Sequence, residues 1–551
     1  MKLKSIYTSP LIWISLLIFV NFFLFNGASS LRNEEPRRAM VAIEMMESGE
    51  YMIPHLHGQT YYNKPPVYNW VLSGFFKVFG FNESVVRLPG ILSFILTAWF
   101  LFKITASYFD KKTRILFSLM FITLADMLFH GTVNAGEIDL FFSLLTCVQV
   151  YLIFYYFEKE KWLHLFVISY LFCAIGILTK GLPSLAFQGI TLLAYFIYKR
   201  RFLTLFYWQH FLGLTIMLSI VGGYLYYFSL SENVMAFIGQ QIKEAAQRTA
   251  AEKPLIKTIL HLFNFPVLIL TKTFPWSLFI FPLCFRKVRT VFLQNKLLKF
   301  SLVFLLSNIL IYWISPDFRS RYVYMFFPYL ILFYGFCLVH LNLTPSWFGK
   351  TIKSILTVGM FGASVAVIVL PFFLPEKNVF IFSLCTLSGV AIFMSARIGF
   401  KSEEIYRFSL SLVTIMLLGR FVFNIAVLPQ MSLLDPEQKY ERVVADIIEK
   451  SDDKMLYFTG PLKENTRDLS IFGEEFSEVQ YEIPFELPYQ VPYYYYLSTG
   501  NVLKYIPAPT EQGVFLVYDQ FAYLVEGQKE ILYRFEINHG NKEVLLFEVK
   551  N

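Results

Sequence analysis

Long apolar runs recur along this chain and dominate everything it can become. They lie at roughly 10–25, 88–104, 113–130, 138–157, 163–179, 182–198, 210–229, 265–283, 299–315, 322–340, 353–374, 379–396 and 405–428, each near the length a bilayer requires. About thirteen such runs predict a polytopic α-helical membrane protein. Composition agrees: 56% of the 551 residues are hydrophobic and 19% aromatic, and the mean hydropathy of +0.51 is far outside the soluble range. The net charge of +8 is no argument for a nucleic-acid partner, because most of the excess lies in short loops between apolar runs. Cys147, Cys173, Cys284, Cys337 and Cys385 all fall inside apolar segments and form no CxxC pair, so they read as small core residues.

Orientation follows from where the basic loops land. Lys2 and Lys4 precede the first run, whose length favours a retained span over a signal peptide cleaved at Ala28-Ser29-Ser30. Threaded from a cytoplasmic N-terminus, the clusters Lys111-Lys112-Arg114, Lys159 and Lys161, Lys199-Arg200-Arg201, Arg286-Lys287-Arg289 with Lys296 and Lys299, Lys350 with Lys353, and Arg397-Lys401-Arg407 all fall inside. The outer face then receives 31–70, 130–139, 179–181, 231–261, 315–321 and everything after about residue 429. The expected organisation is a transmembrane domain over 1–430, including a first outer loop at 27–84, and a soluble extracytoplasmic α/β domain over 431–551. In that last domain Asp435-Pro436 starts a helix to about Lys450, and β-type runs follow at Met455–Phe458, Val514–Tyr518, Ile531–Ile537 and Val544–Val549. Tyr493 to Tyr496 reads as a half-buried strand, with a sugar-stacking patch as the alternative.

The first outer loop concentrates the chemistry. Glu34-Glu35 and Arg37-Arg38 flank Pro36, which starts a helix to about Met46 whose narrow polar stripe suits a bilayer surface. Val67 to Phe79 reads as a second interfacial helix beyond Lys64 and Pro65-Pro66. Further along, Glu137 and Asp139 sit at the outer end of a span, where an acid so near lipid is costly unless partnered or functional. Lys180 lies in the tight TKGLP turn, and Arg319 and Arg321 join Asp317 in SPDFRSRYVY. Guanidinium forks suit phosphate oxygens, although lipid headgroups are an ordinary destination for an outer arginine. His261 precedes a span, where a lone histidine is more often structural than a ligand. The sequence carries no P-loop, GxSxG, HExxH or DxD-type nucleotide-sugar motif, so an activated donor embedded in the bilayer fits better than a soluble nucleotide.

These segments resemble a known family. The order EEPRRA, EMMESGEYMIP, GQTYYNKPPVYNW and RLPG, followed by ILTKGLP, TFPW at 273–276 and SPDFRSRYVYMFFPYL, is similar to bacterial lipid-linked-sugar glycosyltransferases. This is the protein O-mannosyltransferase-like group that includes the aminoarabinose transferase of lipid A, and the resemblance covers about residues 1–430. It implies a GT-C fold, a polyprenyl-phosphate sugar donor and inversion at the anomeric carbon. The family's first loop usually reads Asp-Glu-x-Arg with the Asp as catalytic carboxylate, and counting back from the shared Ser-Gly fits Glu34 to that Asp, Glu35 to the Glu and Arg37 to the Arg. Either Glu34 or Glu35 is then the base. Lys64 and Lys180 match the family's Tyr-x-x-Lys-Pro and Thr-Lys-Gly lysines. With Arg37, Arg38, Arg319, Arg321 and Tyr322 they form the expected donor-phosphate set, while Glu137, Asp139 and His261 are assigned to the acceptor or a divalent cation. In the aminoarabinose branch an acid precedes the first of these lysines and binds metal with a histidine; this chain has Asn63 there, so no cofactor is assigned beyond that optional cation.

The expected function is a glycosyltransferase of the bacterial plasma (inner) membrane, moving a sugar from a polyprenyl phosphate to a lipid A, protein or glycan acceptor on the outer face. Membrane lipids are the other expected partners. The rival readings are a lipid or solute transporter or flippase, which would place charges near mid-bilayer on discontinuous helices, and a sensor acting through the C-terminal domain.

Overall fold

The computed structural model describes residues 10–130, 133–246, 255–316, 319–433, 435–452, 454–461, 463–471, 474–482, 487–507, 513–537 and 542–550. By internal contacts the chain divides into two compact units. One comprises 1–29, 87–221 and 245–431, and the other 30–86, 222–244 and 432–551.

The first unit is helical, and the chain is a multi-pass membrane protein. Among the described residues nine helices are long and apolar enough to cross a membrane, and a bent pair makes a tenth. Pro10–Leu24 and Pro183–Tyr198 are shorter apolar helices. The helices differ in what surrounds them. Ser320–Val339 is buried along nearly all its length, whereas Ser346–Phe372 and Val379–Lys401 leave Val358, Val365, Phe380 and Leu387 exposed, as lipid-facing helices must. Gly335 allows the central packing, since a Cβ there would run into the Phe117 ring. Side chains set several helix starts: Asp110 accepts from Thr113 N at 3.0 Å, Asn295 from Leu298 N at 3.2 Å and Asn378 from Phe380 N at 2.8 Å.

Two expected spans are broken. The run at 113–130 forms Lys111–Ile122 and Ala125–Phe129, separated at Thr123-Leu124. There the Ala125 N–H bonds Phe274 O at 2.9 Å instead of continuing a helix, and Trp276 Nε1 donates to Thr123 Oγ1 at 3.1 Å. The run at 265–283 is a pair of helices, Ile256–Lys272 and Trp276–Cys284, bent by 119°. Pro275 lies at the bend and has no N–H to carry the ladder through.

The second unit assembles the first outer loop, the segment 222–244 and the C-terminal residues. Its five-stranded sheet runs Lys504–Ile506, Leu456–Thr459, Gly513–Tyr518, Lys542–Lys550, Gln528–Ile537. The first three strands are parallel and the last two pairings antiparallel. Lys463–Ile471 and Glu474–Glu482 form a separate antiparallel ladder. The helices Glu35–Ser48 and Val67–Phe79 appear where the sequence places them, and Gly49 at φ 73° ends the first.

The environment of the Glu35–Ser48 helix differs from a bilayer surface. Met40, Val41, Ile43 and Met45 are buried by protein, with Ser73 Oγ bonding Ala42 O at 3.2 Å from the Val67–Phe79 helix. On another side Tyr496 Oη donates to Glu47 at 2.6 Å. The helix lacks a solvent face because neighbours enclose it. Tyr493 to Tyr496 is likewise not a strand: Gln490–Thr499 is a helix with all four tyrosines buried, closed by Gly500 at φ 69°. Four adjacent bulky side chains can all be buried on a helix only when it is surrounded, and period-2 reasoning cannot foresee that.

Candidate active site

In the transmembrane unit the ends of two consecutive helices bring opposite charges together. Glu137 occupies the position just before Ile138–Phe157 and Asp139 lies in its first turn, where the helix dipole favours an acid. Lys180 is the last residue of Trp162–Lys180, where the dipole favours a cation. Lys180 Nζ bonds Asp139 Oδ1, and Arg321, from the 3₁₀ segment Ser320–Phe326, bonds Glu137 Oε1 and reaches Asp139 Oδ2 at 3.2 Å. Lys180 Nζ also lies 4.5 Å from the Tyr322 ring centroid. Asp139 and Lys180 keep only 5% and 7% of their side chains exposed, so neither charge could remain there unpaired.

Five expected residues therefore meet, but in a different partition. The two acids assigned to acceptor or cation clamp the two cations assigned to phosphate. Arg319 is exposed, and His261 Nε2 lies 3.1 Å from Tyr312 O with its ring against Phe265. Lys2, Lys4 and Asp317 lie outside the described residues.

The same unit holds a second buried network that the sequence analysis did not single out. Asp126, fully buried, bonds Lys272 Nζ and accepts from Tyr324 Oη at 2.9 Å, with His130 Nδ1 at 3.4 Å. Arg420 donates to Leu128 O and to Asn134 Oδ1 at 2.8 Å. An isolated acid inside an apolar run was the available signal.

In the second unit Glu34 forms ion pairs with Arg37 and, at 3.8 Å, with Arg38. Arg38 donates to Tyr61 Oη at 3.1 Å and Arg37 to Tyr489 Oη at 3.4 Å. Both guanidinium groups stand over the Tyr61 ring. Glu35 is turned inward: it is 3% exposed and accepts from Arg32 N at 2.8 Å. Lys64 is half-buried and donates to Asn63 O at 2.9 Å. Around it Gln240 Nε2 donates to Asn63 Oδ1 at 2.8 Å, and Glu232 accepts from Thr60 Oγ1 and Tyr62 Oη at 2.6 and 3.0 Å.

A tight turn nearby holds the buried Glu44 carboxylate. His57 and Gly58, both at positive φ, link the short strands His55–Leu56 and Gln59–Thr60, and their N–H groups bond the two Glu44 carboxylate oxygens at 2.7 and 2.9 Å. Burial pushes the Glu44 carboxyl up to about 7 against these two bonds, and pushes the His57 imidazole down to about 4.

The residues present do not fit a dedicated divalent-cation site. The position before Lys64 holds the neutral amide of Asn63, already bonded to Gln240, and among the described residues no three of His, Cys, Asp and Glu converge as a metal ion needs.

Comparison with known proteins places these features in a family context. The model of the dolichyl-phosphate-mannose-protein mannosyltransferase family matches residues 63–227, which include Lys64, Glu137, Asp139 and Lys180. The undecaprenyl phosphate-alpha-4-amino-4-deoxy-L-arabinose arabinosyl transferase of Aeromonas hydrophila is 29% identical over 204 residues, 35% of this chain and 36% of the relative. Its counterpart from Shewanella sediminis is 22% identical over 387 residues, 68% of this chain and 64% of that one. The chain thus spans only about a third of the A. hydrophila relative's length. Among solved structures, ArnT from Cupriavidus metallidurans bound to undecaprenyl phosphate superposes with a TM-score of 0.68 at 15% identity, covering 97% of each chain. The chain therefore resembles the ArnT-like group of GT-C membrane glycosyltransferases, in fold across nearly its whole length and in sequence across a third to two thirds of it.

Proposed function

We propose that this chain is a membrane glycosyltransferase that moves a sugar from a polyprenyl-phosphate donor to a hydroxyl or amine acceptor on the extracytoplasmic face, with inversion at the anomeric carbon. The observation that carries the reading is the buried cluster of Lys180 and Arg321 with Asp139 and Glu137 in the transmembrane unit. Two cations held together in a poorly hydrated site are suited to a phosphate, and the carboxylates hold them in place before a donor arrives. The named relatives are transferases, so a transporter or flippase is not favoured.

In the proposed reaction the acceptor oxygen or nitrogen attacks the anomeric carbon, a carboxylate takes its proton, and the bond from that carbon to the phosphate oxygen breaks. Polyprenyl phosphate leaves with the electron pair. Lys180 and Arg321 stabilise the negative charge that grows on the leaving phosphate. Glu34 takes the proton, a role worth roughly 10²- to 10⁴-fold in rate. Its pairing with Arg37 and Arg38 orients the carboxylate. Arg319, Lys64 and Tyr322 are secondary donor contacts in this proposal, and the acceptor is a lipid A, protein or glycan group.

Mass spectrometry of envelope lipids and glycoproteins, from cells with and without the chain, tests the proposal and identifies the acceptor. A sugar-mass increment confined to cells that carry the chain supports it. Identical lipid and glycoprotein profiles, with the donor lipid present in both, would overturn it.

A further inference from the structure

One basic cavity in the transmembrane unit is unrelated to the proposed reaction. It has a volume of about 310 Å³ and is lined by Tyr195, Tyr198, Lys199, Arg200, Lys296 and Lys299. The residues come from two distant parts of the chain: the end of the Pro183–Tyr198 helix with the turn after it, and the first turn of Lys296–Asn308. Glu158 ties them together, accepting from Lys199 Nζ at 2.6 Å and Tyr195 Oη at 3.0 Å while pairing with Lys296 Nζ at 2.9 Å. Four cations thus line the cavity, and two of them share one carboxylate. Among the described residues no carboxylate pairs with Arg200 or Lys299, whereas the neighbouring Arg201 is paired with Glu160 at 3.2 Å.

A general excess of loop lysines and arginines accounts for positive charge near a membrane edge, but not for its convergence in one concavity. Three placements here run against local preference. Arg200 sits at φ 56°, the left-handed position after a helix that favours glycine. Lys296 and Lys299 lie in the first turn of a helix, where the dipole disfavours cations. Local rules broken together at one spot are characteristic of a site whose side chains are needed. The surroundings suit the headgroup level: Tyr198, Leu203, Phe206 and Trp208 are exposed in and just after the same turn, as an aromatic and apolar belt there would be.

We propose that this cavity binds a phosphate-bearing anion at the membrane surface, held by Arg200, Lys299, Lys199 and Lys296. The chemistry is shared by an anionic phospholipid headgroup and a soluble phosphate. Binding ties the 199–201 turn to the start of the Lys296–Asn308 helix more strongly than Glu158 does alone.

The test uses the full-length protein, delipidated and then offered phosphatidylglycerol or phosphatidylcholine in native mass spectrometry, with inorganic pyrophosphate as a competitor. Two variants are compared: Arg200→Gly, which suits the backbone and removes the charge, and Arg200→Gly combined with Lys299→Gln. Loss of two charge-assisted contacts at a half-open site lowers retention of the anion by about tenfold in the double variant. Retention of phosphatidylglycerol that pyrophosphate does not displace, lost in the variants, supports the lipid as source. A pyrophosphate-dependent rise in melting temperature, present in the parent and absent in the variants, supports a soluble phosphate. Equal anion binding by the parent and both well-folded variants would overturn the proposal.

Discussion

Glu34 keeps 24% of its side chain exposed beside Arg37 and Arg38, whereas its neighbour Glu35 is buried against the backbone N–H of Arg32. In the proposed reaction that difference separates their roles. Glu34→Gln preserves size but cannot take a proton, so it should lower turnover by roughly 10²- to 10⁴-fold with donor binding retained. Glu35→Gln keeps an acceptor oxygen for Arg32 N and should leave turnover within a few-fold of the parent. Steady-state kinetics on both purified variants, with donor binding scored separately, checks this; the reverse pattern would assign the base to Glu35. Charges beside apolar runs were visible in the sequence, which is why Glu137, Asp139, Lys180 and Arg321 could be picked out. Their pairing was not, because Lys180 lies 41 residues from Asp139 and Arg321 184 residues from Glu137, and no local pattern encodes such contacts.

The hairpin of His57 and Gly58 over the Glu35–Ser48 helix carries a pH dependence that can be worked out in sign. The Glu44 carboxyl is raised to about 7, so its contribution to stability is full below its unfolded value near 4.5 and is lost as pH rises towards 7. The His57 imidazole is lowered to about 4, so its contribution is full above 6.5 and is lost as pH falls towards 4. The two shifts are similar in size and opposite in sign, so between pH 4.5 and 6.5 their effects largely cancel. Glu44→Gln removes one side of the balance. Its melting temperature should fall more steeply than the parent's as pH drops from 6.5 to 4, and parallel curves in a thermal-shift titration would contradict this. At this scale the helices Glu35–Ser48 and Val67–Phe79 were legible from Pro36, Gly49 and the apolar spacing. The breaks at Thr123 and Pro275 were less so, because apolar residues on both sides conceal a turn whose N–H bonds a distant carbonyl.

As a whole molecule the chain was readable as a membrane protein with a small sheet-bearing C-terminal part, since bilayer length and β-type alternation are both local signals. The contact-based grouping of residues 30–86 and 222–244 with 432–551 was not readable, because it depends on long-range packing. The proposed orientation makes a direct prediction: cysteines introduced at the exposed positions Gln59 and Gln528 should react with an impermeant thiol reagent from the extracytoplasmic side. Labelling of either from the cytoplasmic side only would reverse it. The central claim concerns the donor, and the most direct measurement is release of polyprenyl phosphate from a polyprenyl-phosphate sugar by the purified full-length protein in the presence of acceptor. The parent should release it with stoichiometric sugar transfer. Arg321→Ala, which removes a cation expected on the phosphate, should weaken donor binding and slow release by roughly tenfold or more. No release by the parent, or parental rate and donor affinity in the variant, would contradict the account.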